Sequence, residues 1–95
     1  MIDADTTRFV KVSDRFWDFV SEDGTVFARA ELFPGKDQWG VRLLDRAPDL
    51  DDRELTKLVG KLLVWEVGCT ADTVEVVLGR SHDRVTMVRV QGEYV

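Results

Sequence analysis

The stretch DLDDRELTKLVGKLLVWEVG, residues 49–68, is the strongest constraint on what this chain can fold into. Leu55, Leu58, Val59, Leu62 and Leu63 recur at i, i+3, i+4, i+7 and i+8, the spacing of one face of an α-helix. Asp51 suits the N-cap, Glu54 stands three residues later, and Leu50 with Leu55 fits a hydrophobic staple. Asp51, Asp52 and Glu54 also lie where the helix dipole favours negative charge. Gly68 suits the left-handed residue that closes a helix. The spacing predicts a helix over 52–67.

On both sides of this segment the period changes from 3.6 to 2. TVFARAELF alternates Val26, Ala28, Ala30 and Leu32 against Phe27, Arg29, Glu31 and Phe33. WGVRLL sets Trp39, Val41 and Leu43 opposite Arg42 and Leu44, and Pro34-Gly35 before it suits a type II turn. After the helix, TVEVVLG and RVTMVRV form a second pair of strands joined across RSHD. DRFWDFVSEDGTVFARA reads as strand, Asp23-Gly24 turn and returning strand, although Phe9, Val12, Phe16 and Val20 also fall near helical spacing. The expected fold class is α+β: a two-layer, mostly antiparallel five-stranded sheet with one central helix on one face, in the order β-β-β-α-β-β.

Residues 1–95 are expected to form a single domain, because a chain this short must gather most of its apolar residues into one core. The 44% hydrophobic content makes that core feasible. One helix covers one face of a sheet. The covered face is assigned Trp17, Phe19, Val26, Ala28, Ala30, Trp39, Val41, Val74, Val76, Val88 and Val90. The open face is assigned Asp18, Arg29, Glu31, Arg42, Glu75 and Arg89, with the apolar Phe27, Leu44, Val77, Val85 and Met87 among them. WDF and TV at 17–26 recur as WEV and TV at 65–74, an offset of 48 residues over five similar positions, which is read as coincidence.

Eighteen acidic residues against thirteen basic ones give a net charge of −5, the wrong sign for general nucleic-acid affinity. Nucleic acid is therefore an unfavoured partner. The single cysteine, Cys69, excludes an intrachain disulfide, a CxxC pair and a thiolate-rich zinc site. The acidic DLDDRE run lacks the alternating ligands and central glycine of a calcium loop. No metal and no cofactor are expected. The start MIDADTTRFVKV carries no secretory h-region and LVGKLLVWEVGC is broken by Lys61 and Glu66, so the expectation is a cytoplasmic chain without a membrane span.

GRSHDR, residues 79–84, holds the one histidine. His82 and Asp83 are adjacent in sequence, whereas a catalytic triad converges from separate elements, and no GxSxG elbow accompanies Ser81. No catalytic residues are assigned, and an enzyme is not expected. Arg80, Ser81, His82 and Arg84 form a candidate anion-binding loop, weighed against an ordinary polar turn. Trp65 lies off the leucine stripe and suits an interface anchor. The functional expectation is a small non-enzymatic interaction or regulatory protein of bacterial or phage type, binding a protein partner or itself. The partner-binding set is Phe27, Arg29, Arg42, Leu44, Val77, Met87, Arg89 and Trp65. The alternative is nucleic-acid or phosphate-ligand binding through Arg80, Arg84 and Arg89.

Overall fold

A computed structural model describes residues 6–44, 50–78 and 83–95. Seven strands and one helical segment follow in the order β1 (Arg8–Lys11), β2 (Phe16–Val20), β3 (Val26–Phe33), β4 (Gln38–Leu44), α1 (Asp52–Lys61), a π-helical continuation (Leu62–Val67), β5 (Thr73–Val77), β6 (Arg84–Val90) and β7 (Glu93–Tyr94). The α+β class stands, and the five-stranded sheet becomes a seven-stranded one with its strands in chain order. β1 to β4 form an antiparallel meander and β5 to β7 another. The two are joined by a parallel pairing of β4 with β5, Trp39 opposite Val74 and Val41 opposite Val76. That pairing is parallel because the intervening helical crossover returns the chain to the end of the sheet at which β4 began.

The helix starts as its sequence dictates. Asp51 Oδ1 accepts the Arg53 N–H at 2.7 Å, and Leu55 N–H donates to the Asp51 carbonyl at 3.0 Å. The staple pair Leu50 and Leu55 are both buried in the core. Helical backbone runs through residue 67 as expected, but its last six residues take the wider π spacing, which the leucine stripe does not foretell. Gly68 closes it at φ 69°, and the Leu63 carbonyl accepts from the N–H groups of both Gly68 and Cys69.

Residues 8–20 are strands rather than helix. Phe9 sits opposite Phe19, their rings edge to face at 5.2 Å. The Asp23-Gly24 turn forms, with Gly24 at φ 88°. Pro34-Gly35 is not a type II turn, since Gly35 lacks the positive φ which that turn requires. Glycine is needed there for another reason: a Cβ would run into the Gln38 backbone oxygen. A further hairpin missing from the sequence reading turns at Gln91-Gly92, both at positive φ, and adds β7. WDF lies in β2 and WEV in the π turn, so the two triplets belong to different kinds of element and do not mark a repeat.

Leu55, Leu58, Val59, Leu62 and Leu63 pack on one face of the sheet against Phe19, Ala28, Ala30, Val41, Leu43, Val74, Val76 and Met87. Seven face assignments need correction. Phe19 pairs with Ala28 while Val20 pairs with Val26, so Phe27 is an extra bulged residue, which puts it in the core and leaves Val26 exposed. In β6, Met87 is fully buried and Val85 half-buried against the core, whereas Val88 and Val90 are exposed. Arg89 shares the parity of Met87 and thus belongs to the helix side of β6, opposite Tyr94.

Candidate functional site

Among the described residues, no element covers the other face of the sheet. Its side chains follow from strand parity and register. One cross-strand row runs Val10, Asp18, Arg29, Leu44; the next runs Phe16, Glu31, Arg42, Val77, Arg84; a third runs Phe33, Gly40, Glu75, Thr86. Val88 lies opposite Thr73 beyond them.

The charges pair across strands. Arg29 Nε donates to Asp18 Oδ1 at 2.6 Å and Nη2 to Oδ2 at 3.3 Å, a forked contact between directly opposed residues of β2 and β3. Thr86 Oγ1 donates to Glu75 Oε1 at 3.0 Å, and Arg84 Nη1 stands 3.9 Å from Glu75 Oε2. The Arg42 guanidinium lies over the Phe33 ring, 5.5 Å from its centroid. Phe33 also packs beside Gly40, its cross-strand partner. The face therefore carries Arg8, Arg29, Arg42 and Arg84 against Asp18, Glu31 and Glu75. On a chain of net charge −5, this surface is close to neutral.

Apolar groups stand between those charges. Val10, Phe33, Val88 and Val90 are exposed, and Leu44 and Val77 are half-buried. Of the residues assigned to partner contact, Arg29, Arg42, Leu44 and Val77 share this face. Phe27 and Met87 are core residues and Arg89 lies on the helix side. Trp65 sits away from the open face, 68% exposed on the π turn, with Lys61 Nζ 5.2 Å from its ring centroid. Sequence reasoning missed Val10, Phe33, Val88 and Val90. Phe33 was readable from the β3 alternation that placed Arg29 and Glu31.

Arg80, Ser81 and His82 of the candidate anion loop lie outside the described residues. Arg84 and Arg89 face opposite sides of β6, so the strand does not bring those two guanidinium groups together. Among the described residues, no three His, Cys, Asp or Glu side chains converge as metal ligands, and no helix is long and apolar enough to cross a membrane. The chain matches no protein-family model, no curated protein and no solved structure.

Proposed function

We propose that this chain is a non-enzymatic cytoplasmic interaction protein whose open sheet face binds a protein partner or a second copy of itself. The observation that carries the reading is Phe33 held under the Arg42 guanidinium, with exposed Val88, Val90 and Val10 on the same uncovered face. Aromatic residues and arginine are enriched at the buried centres of protein interfaces, and Phe33 with Arg42 is such a pair on this face. The Asp18–Arg29 fork and the Glu75–Thr86 bond fix the charged side chains beforehand, which lowers the ordering cost of association.

The test compares the wild-type chain with a Phe33→Asp/Val88→Asp double variant, by light scattering and by affinity capture from lysate. Both positions are exposed, so the variant keeps its core. An oligomer or a stoichiometric protein partner is expected with the wild type, and neither with the variant. A wild type that stays monomeric and captures nothing, or a variant that assembles as the wild type does, overturns the reading.

A further inference from the structure

The middle row of the open face reads Phe16, Glu31, Arg42, Val77 along the consecutive strands β2 to β5. Its chemistry is apolar, acid, base, apolar. Glu31 and Arg42 oppose each other directly across β3 and β4, yet among the described residues neither is in an ion pair. The Arg42 guanidinium lies over the Phe33 ring, which takes up its flat face and leaves its in-plane N–H donors without an acceptor among the described residues. Half-buried beside it, the Glu31 carboxylate has no donor among the described residues. The neighbouring carboxylates are committed, Asp18 to Arg29 and Glu75 to Thr86. One acid and one base thus stand uncommitted at the centre of the face.

A two-fold axis along the seam between β3 and β4 lays this row on its own reverse. Glu31 of each copy then meets Arg42 of the other, and Phe16 of each meets Val77. In the next row Phe33 of each copy falls against Gly40 of the other. Moving the axis onto β3 would set Glu31 on Glu31, and moving it onto β4 would set Arg42 on Arg42, so like-charge repulsion fixes the register. Each contact of such an interface occurs twice, as in any isologous dimer. Aligned sheets pack about 10 Å apart, a gap that facing Glu and Arg side chains bridge. Away from this face two copies repel, since each carries a net charge of −5. We infer that the chain forms a homodimer with its two open faces packed together, Glu31 of each copy paired with Arg42 of the other. This rests on the open-face reading and names the partner that the face takes.

The test is charge exchange, read by light scattering of the purified full chain over a concentration series. The wild type is expected to be a dimer. Glu31→Arg alone and Arg42→Glu alone each set two like-charged pairs across the axis, and each is expected to weaken dimerisation at least about tenfold. Mixing these two single variants restores both ion pairs, so the mixture is expected to dimerise as the wild type does. The Glu31→Arg/Arg42→Glu double variant restores them within one chain and is expected to do the same. Both side chains lie on the open face, so the core is left intact, and unchanged far-ultraviolet dichroism of each variant checks this. A monomeric wild type overturns the inference, and so does a single variant that dimerises unimpaired or a mixture that stays monomeric. A wild type that is monomeric alone but holds a foreign protein, released by Phe33→Asp/Val88→Asp, overturns the homodimer and leaves the open-face reading standing.

Discussion

Two side chains show how local contacts set charge states in this protein. Asp23, in the β2–β3 turn, accepts from the Ser21 hydroxyl and from the Thr25 N–H, the latter at 3.0 Å. Both stabilise the carboxylate and hold its pKa down from the ordinary 3.8 to about 2, Ser21 contributing most. A depressed carboxyl pKa adds stability that is present above pH 3.8 and lost as pH falls through about 2. Ser21→Ala is expected to move the Asp23 midpoint up toward its ordinary value, read by carboxyl carbon chemical shift; an unmoved midpoint contradicts the assignment. Tyr94 is the reverse case. Burial, then the Cys69 Sγ at 3.2 Å, pushes its phenol above the ordinary 10.0, with Arg89 acting weakly the other way. A raised phenol pKa favours the neutral hydroxyl in the fold, so its contribution is intact below pH 10 and is lost as pH climbs past that value. Tyr94 is the chain's single tyrosine, so phenolate absorbance reports it alone. That absorbance is expected to appear only well above pH 10, together with loss of the fold. The Tyr94 hydroxyl donates to the Ala71 carbonyl at 2.7 Å. Tyr94→Phe strands that buried carbonyl and is expected to cost about 1–2 kcal/mol in denaturant unfolding.

At the scale of elements, helix and β7 are fitted to one another at Gly60. Alanine there gains up to about 1 kcal/mol of helix propensity, against contacts of 3.2 Å with the yielding Met87 Cε and the unyielding Tyr94 carbonyl. Gly60→Val adds branching at the same contact and is expected to destabilise by about 1–3 kcal/mol, the usual cost of overpacking. Hydrogen exchange at Val95, whose N–H donates to the Val88 carbonyl, should rise first, because β7 is what a larger side chain displaces. The helix was legible because cap, staple, leucine stripe and closing glycine all agree on one answer. β6 was not, because RVTMVRV offers apolar residues at both parities: Val85 and Met87 on one, Val88 and Val90 on the other. Only the register with Val74 and Val76 decides between them. β3 misled for a different reason. Its alternation is regular in sequence, but the bulge at Phe27 shifts the residues before it by one position. The π continuation left no sequence signal. β7 left only Gln91-Gly92, too slight a signal for a two-residue strand.

For the molecule as a whole, the open face was legible in outline and its membership only in part. One helical segment against several alternating strands already implies an uncovered side, and unambiguous strands such as β4 gave Arg42 and Leu44 correctly. The same architecture makes the helix the tie between two halves. β1 to β4 and β5 to β7 are each antiparallel and meet along a single parallel seam, and one apolar core runs under both. Leu62 is fully buried in that core. Leu62→Ala is expected to cost about 2–5 kcal/mol through lost burial and the cavity left behind. That is a large share of the roughly 5–15 kcal/mol typical of a domain. Because both meanders lean on the same helical face, the loss should be felt by both at once. In a Trp39→Phe/Trp65→Phe background, Trp17 fluorescence reports β2 while far-ultraviolet dichroism reports the helix. Coincident unfolding midpoints, both lowered by Leu62→Ala, are expected. A helix that melts first and leaves Trp17 buried would show that the sheet stands without its cover.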